Sequence, residues 1–373
     1  MKLIFYYVSY KAGLGIISDL KNKSNNYYAN RVTEEGYFDL LKKTSELKYV
    51  DEVIIIIESL DGPGTIEISD KIKIKVVPDI EQSRQFIKQG DVLWVRGGWK
   101  HWHDFFINRQ KEGHWCLIYA ANTGRQKWPF WDVVLDDLSG NSYFDVRKRL
   151  IYDFRKSISE TIFKVIPDTP LKYDICIGAS RVHDKKGQWR VVEALAAYAR
   201  DKNRRFKAVL PGPWAHGVKT NAIKRLISGN SLNIKITESL TRPELAQVMN
   251  ESKLFIHLGS HGQGDRGVME ALACGCNIMI GYKEYHAPWI FKNDSFVSVP
   301  RNPNNFSVLG QAISVAVLNS TRYEREDIAK FYYDNAGLEK KSFPRFKFLL
   351  DFFNEFPIRK ENLLFERLGT INE

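Results

Sequence analysis

The sequence predicts an α/β protein with two open, mostly parallel sheets, and three observations carry that expectation. The chain has 373 residues, more than one hydrophobic core usually organises, so two domains are expected. Short apolar runs that end in Gly or polar residues alternate with helix-length segments, the pattern of parallel strands joined by crossover helices. The alternation breaks once, at "IPDTPLK" (166–172), where two prolines make a short stiff connector, and then restarts.

Taken in order, "KLIFYYV" opens the chain as a strand, because it is apolar and rich in aromatic and β-branched residues. It is too short for the apolar core of a secretory leader, and no small-residue cleavage site follows it. "AGLG" (12–15) turns it into a helical stretch. "VDEVIIIIES" (50–59) is apolar without alternation, as expected of a strand covered on both faces. "DVLWVRGG", "CLIYAANTG" and "DVVLDD" continue the series. After the connector come strand "YDICIGAS", helix "QWRVVEALAAYAR", strands "RFKAVLPG" and "NIKIT", helix "PELAQVMNES", strand "KLFIHLGS", helix "GVMEALACG" and strand "CNIMIG". "TRPE" (241–244) is a capping box with a proline inside it, a strong helix start. Residues 1–166 and 173–340 are therefore expected to form two Rossmann-like domains facing a central cleft. The aromatic, amphipathic stretch "KSFPRFKFLLDFFNEF" places 341–373 as a helical tail docked back on the body.

The formal net charge is +11, with Lys and Arg scattered among acids. The densest cluster, "KNRRFK" (202–207), reads first as a solvated helix end and second as a surface for anionic membrane or nucleic acid. No zinc-finger spacing, RNP-like aromatic motif or basic heptad helix is present, so no specific nucleic-acid partner is expected. The longest apolar runs, such as 53–57, are far too short to span a bilayer. Four cysteines form no CxxC pair, and Cys274 and Cys276 lack a second pair at zinc spacing. Buried free thiols and a reducing, cytoplasmic setting follow, with peripheral membrane contact as the lesser reading.

Open α/β sheets bind ligands at the carboxyl ends of their strands, and the chemistry-bearing residues gather at those ends. Gly13 and Gly15 follow the first strand, where backbone without Cβ atoms can approach a phosphate or sugar; a plain tight turn explains them equally well. "GASRVHDKKGQW" sets Arg181 just past a strand and Lys186–Gly187 at the next helix start, so two cations flank a turn suited to a diphosphate. Surface charge on a loop is the competing reading. "HLGSHGQGDRG" holds His261, Gly262, Gly264, Asp265, Arg266 and Gly267 before a helix whose amides can face an anion. Glu270 lies about one turn into it, where it can accept from sugar hydroxyls or serve only as a helix-start acid. "GGWKHWHDFF" supplies His101 and His103 after another strand, read first as ordinary surface or packed residues and second as part of an acceptor or sugar pocket. The His-x-His pair lacks the further ligands a metal site needs, and "VLDD" reads as a strand end followed by a loop, so no metal is expected.

These residues resemble retaining glycosyltransferases of the GT-B fold, in particular the "group 1" class (family 4). The class has an Arg after the first strand of its second domain and a Lys-Gly opening the next helix, matched by Arg181 and Lys186–Gly187. It continues with a Ser, a Glu-Gly loop and "EAMACG-PVI", matched by "SHGQGDRGVMEALACGCNIMI" (260–280) except for the loop's Glu. The resemblance is specific over 173–281 and diffuse before it, where only "AGLG", the strand order and "ISETIFKVIPD" agree. Of the family's two glutamates, Glu270 matches the second, which binds the nucleotide ribose. The first, which contacts the transferred sugar, falls at Gly262, with His261 or Asp265 as substitutes.

The resemblance implies a metal-independent enzyme that moves a sugar from a UDP- or GDP-linked donor to a glycan or lipid-linked acceptor, with retention of anomeric configuration. Arg181 and Lys186 are the catalytic pair. Gly13, Gly15, Gly187, His261, Gly264, Asp265, Arg266, Gly267 and Glu270 line the donor, and Arg96, His101, His103 and Asn122 are candidates for the acceptor pocket. Two other readings stay open: a sugar-nucleotide epimerase of the same fold, which the missing acid at Gly262 disfavours, and a non-catalytic nucleotide-sugar-binding protein.

Overall fold

The computed structural model describes residues 1–10, 15–22, 36–96, 100–119, 131–138, 140–178, 187–212, 218–259, 266–283, 286–292, 295–320 and 322–369. The chain forms two compact units, Met1–Ser159 with Leu338–Glu373, and Glu160–Gly337.

The first unit is built on a nine-stranded sheet. Its strands in chain order are β1 (Lys2–Tyr10), β2 (Glu52–Ser59), β3 (Gly64–Ser69), β4 (Ile72–Val77), β5 (Val92–Arg96), β6 (Trp115–Tyr119), β7 (Val133–Asp136), β8 (Tyr143–Phe144) and β9 (Leu150–Asp153). Across the sheet they run β3-β4-β2-β1-β5-β6-β7-β9-β8. All neighbours are parallel except the edge pairs β3/β4 and β8/β9. Among the described residues, helices α1 (Ile16–Asn22), α2 (Gly36–Ser45) and α3 (His103–Lys111) lie in the N-terminal part.

The unbroken apolar character of β2 has a direct cause. Val53, Ile55 and Ile57 face one core with Leu3, Phe5, Trp94 and Trp115. Ile54 and Ile56 face the other with Ile4, Tyr6, Leu93, Trp102 and Phe106. A strand buried on both faces has no solvent side on which to place polar residues. The first core is closed by α10 (Phe343–Glu355), whose Phe346, Leu349, Leu350 and Phe353 enter it. Phe346 lies 4.7 Å from Trp94, centroid to centroid, and the Trp115 indole donates to the Phe356 carbonyl at 2.7 Å. The short helix α11 (Leu363–Leu368) follows. The tail thus starts at Leu338 and belongs to the first unit.

The second unit holds a six-stranded, all-parallel sheet. Its strands are β10 (Tyr173–Ile177), β11 (Ala208–Gly212), β12 (Ile234–Ser239), β13 (Ser252–His257), β14 (Asn277–Ile280) and β15 (Val297–Ser298), in the order β12-β11-β10-β13-β14-β15. Helices α4 (Gln188–Lys202), α5 (Val218–Gly229), α6 (Arg242–Asn250), α7 (Arg266–Ala273), α8 (Phe306–Asn319) and α9 (Arg325–Ala336) belong to it. The capping box is formed: the Glu244 amide donates to Thr241 Oγ1, and the Thr241 amide to the Glu244 carboxylate. All four cysteines are buried and free.

The units divide after Ser159 rather than at 166. Asn250 explains the shift. Its side chain accepts from the Ile166 amide at 2.8 Å and donates to the Lys164 carbonyl at 2.9 Å. Those two bonds satisfy part-buried backbone groups and tie the stretch before the prolines to α6.

Candidate active site

Each sheet reverses its strand order once near its middle. In the second unit the chain runs from β10 outward to β11 and β12, then returns to the other side of β10 with β13. The connection from β10 to α4 carries Arg181 and Lys186, and that from β13 to α7 carries His261, Gly264 and Asp265. These five lie outside the described residues, as do Gly13 and Asn122. The residues that bracket the two connections are described and stand together.

Gly187 precedes α4 with φ +75°. A Cβ there would lie 2.5 Å from the Leu258 carbonyl oxygen, just past β13. No L side chain fits both the angle and the space. The glycine therefore brings the start of α4 against the end of β13, a packing role that holds whatever binds nearby. Arg266 and Gly267 open α7, with Gly267 buried.

Glu270 is 2% exposed. Its Oε1 accepts from Arg242 Nη2 at 2.5 Å, and the Arg242 guanidinium lies 4.7 Å over the Phe163 ring. A buried carboxylate needs such a partner, because desolvation alone would disfavour its charge. Arg242, the first residue of α6, was not singled out in the sequence. The one signal was its place inside "TRPE", where a capped helix start holds its side chain at a fixed point.

In the first unit Gly15, with φ +90°, has nothing within 4 Å of a Cβ position among the described residues. Its amide donates to Asp61 Oδ1 at 2.5 Å, and the Ile17 amide to Asp61 Oδ2 at 2.9 Å. The carboxylate of Asp61 thus accepts from the Gly15 and Ile17 amides at the start of α1.

Of the acceptor candidates, Arg96, His101 and His103 lie among the described residues. Arg96, at the end of β5, stacks over Tyr7 at 4.9 Å and Tyr37 at 5.1 Å. His101 Nε2 is 2.9 Å from Glu58 Oε2. His103 begins α3, and burial, helped by Lys100 and opposed by Asp104, lowers its imidazole below the usual histidine range. "VLDD" is a strand end, as read, but it is buried and charged. Asp137 Oδ2 accepts from Tyr119 Oη at 2.7 Å and faces Lys156 Nζ at 3.7 Å. Asp153 pairs with Arg155 and with Arg345 of the tail, each at 3.0 Å. Among the described residues no group of three or more His, Cys, Asp or Glu side chains converges as metal ligands would.

Solved structures share this fold. Trehalose-6-phosphate synthase from E. coli, bound with UDP-2-fluoro glucose, superposes with a TM-score of 0.63 at 9% identity, over 95% of this chain and 99% of that one. Sucrose-phosphate synthase from Thermosynechococcus elongatus gives 0.63 at 13% identity, over 95% and 100%. HepE from Anabaena, in complex with UDP and glucose, gives 0.61 at 13% identity, over 94% and 99%. No family model and no curated protein matches the sequence. The chain has the GT-B fold of these glycosyltransferase structures.

Proposed function

We propose that the chain is a glycosyltransferase that moves a sugar from a nucleoside-diphosphate donor, UDP- or GDP-linked, to a hydroxyl of a glycan or lipid-linked acceptor. One observation carries the reading. The connections that hold the donor residues leave β10 and β13, the adjacent parallel strands on either side of the order reversal, where open parallel sheets bind their ligands.

Within this reading Arg181 and Lys186 neutralise the charge that develops on the leaving diphosphate, an electrostatic role two cations can fill without a metal ion. Glu270, held by Arg242, accepts from the ribose diol. The amides of 264–267 face phosphate or sugar, and the acceptor falls to the first unit. The structures bound with UDP-2-fluoro glucose and with UDP and glucose favour UDP as the nucleotide. The sequence resemblance to retaining enzymes makes retention the expected stereochemistry.

Calorimetric titration with UDP and GDP tests the proposal. Arg181→Ala and Lys186→Ala should each weaken the preferred nucleotide by about 1.5–3 kcal/mol, the worth of a hydrogen bond to a charged group. Unchanged affinity in both variants removes the diphosphate from this connection. Transfer should also survive EDTA. Loss of activity restored by a divalent ion would return "HWHD" to consideration as a metal site.

A further inference from the structure

Helix α8 lies at the surface of the second unit, yet its sequence, "FSVLGQAISVAVLN", holds no charged side chain. One face is accounted for by packing. Leu309, Ile313 and Val317 enter the core under the six-stranded sheet. Gly310 brings the helix against α4, where a Cβ would lie 2.7 Å from the Ala194 carbonyl oxygen, and Ser314 Oγ is 2.9 Å from Tyr198 Oη. The other face is open: Val308 is 42% exposed, and Val315 and Leu318 are 57% exposed. Helical spacing aligns these three into one stripe, about 15 Å long at the rise of an α-helix. A surface helix ordinarily turns polar and charged residues outward, so the demands of the core do not explain the stripe. Cations gather at one end of it. Ser307 Oγ donates to Asp201 Oδ2 at 2.7 Å, which joins the first turn of α8 to the end of α4 and the basic run 202–207. Lys202, Arg204 and Arg205 are exposed there, and among the described residues none of them pairs with a carboxylate. Arg322 is exposed just past the other end, followed by the exposed acids Glu324 and Glu326.

We propose that the outer face of α8 and the cations at 202–205 form a docking surface for an anionic lipid bilayer. Val308, Val315 and Leu318 enter the boundary between headgroups and acyl chains, and Lys202, Arg204 and Arg205 meet the lipid phosphates beside them. The two halves of the surface together select this occupant. An aliphatic stripe offers a nucleic acid no platform for stacking bases. Unpaired cations do not suit a second copy of a chain whose net charge is +11, and one helical stripe falls short of the roughly 800 Å² per partner that a stable dimer buries. The surface goes beyond the glycosyltransferase reading and stands without it. Joined to that reading, it favours lipid-linked acceptors over free glycans.

The test is cosedimentation of the full chain with vesicles of phosphatidylcholine alone and of phosphatidylcholine mixed equally with phosphatidylglycerol. The chain should bind the mixed vesicles and leave the neutral ones. Two double variants address the two halves of the surface. Arg204→Ala with Arg205→Ala should weaken partitioning about fivefold for each cation removed. Val315→Gln with Leu318→Gln should weaken it about tenfold. Gln is at least as good a helix former as Val and both positions are exposed, so melting temperatures should stay close to wild type. Failure of the wild type to bind the mixed vesicles overturns the inference. So does binding that either double variant leaves unchanged, since the cations alone or the stripe alone would then account for it. Two other occupants are read in the same series. Self-association in sedimentation velocity that the Gln variant abolishes, without vesicle binding, assigns the stripe to a second copy. Binding of a duplex oligonucleotide that needs Arg204 and Arg205, without vesicle binding, assigns the cations to nucleic acid. Either result defeats the bilayer surface. UDP calorimetry on both variants should match wild type and keeps the two claims apart. Failure of UDP binding defeats the glycosyltransferase reading, whereas failure of vesicle binding with UDP binding intact defeats the docking surface alone.

Discussion

Glu270 has two demands on one carboxylate. Arg242 holds Oε1, and the proposed ribose contact needs the rest of the group. The two demands separate by mutation. Arg242→Met keeps much of the volume over Phe163 but leaves Glu270 buried beside no cation, and breaking a buried pair costs about 3–5 kcal/mol. Glu270→Gln keeps an oxygen for Arg242 and should cost less stability. It should also lose most of the preference for UDP over its 2′-deoxy analogue, because a neutral oxygen accepts more weakly from the diol. Urea denaturation and calorimetry with both nucleotides check this. Lowered stability with an intact ribose preference would leave Glu270 as Arg242's partner and nothing more. The sequence pointed to Glu270 because a glycine-rich approach precedes it. It was silent on Arg242, 28 residues earlier, because that contact exists only once α6 and α7 pack side by side.

At the scale of elements, the ends of β7 and β9 gather charge inside the first unit. Burial raises the Asp136 carboxyl above the usual range, the Leu138 amide opposes this, and Asp137 and Asp153 add to it. A raised folded-state value means the fold binds this proton more tightly than the unfolded chain does. The resulting stability is present below the unfolded value and is lost as pH rises through the folded one. Asn imitates the protonated form and can still accept from Leu138. Asp136→Asn should therefore raise the urea midpoint at pH 7, and the gain should vanish toward pH 3. A pH-independent effect, or a loss at pH 7, contradicts the assignment. The strands that were legible are the central ones, since a strand covered on both faces reads as an unbroken apolar run. The edge strands β3 and β8 escaped notice, as did β4, β9 and β15. β3 keeps mostly exposed or half-exposed residues and β8 has only two residues, so neither leaves an apolar signature.

For the whole molecule, the two-unit plan was legible because each half repeats the strand–helix alternation, and the strand order reversals then follow from topology. The membership of the tail was not legible. An amphipathic helix announces that it must cover something, but not which sheet. If nucleotide binding is a property of the second unit, UDP should stabilise that unit selectively. Ligand at a hundredfold its Kd contributes about 2.7 kcal/mol. Hydrogen exchange with and without UDP should then show added protection concentrated in residues 160–337. Protection spread evenly over the nine-stranded sheet would place the nucleotide elsewhere.

The chain leaves the first unit at Ser159 and re-enters it at Leu338. During synthesis the nine-stranded sheet is therefore made first but finished last. Its inner face, with Trp94 and Trp115, waits for Phe346 and Phe353. The six-stranded sheet is encoded in one uninterrupted run and can close in the meantime, since domains fold as units while the chain grows. Maturation thus proceeds out of order with translation. A transcript that ends before codon 338 is expected to yield a soundly folded second half tethered to a sticky, half-covered first, a substrate for chaperones and proteases rather than a shorter enzyme.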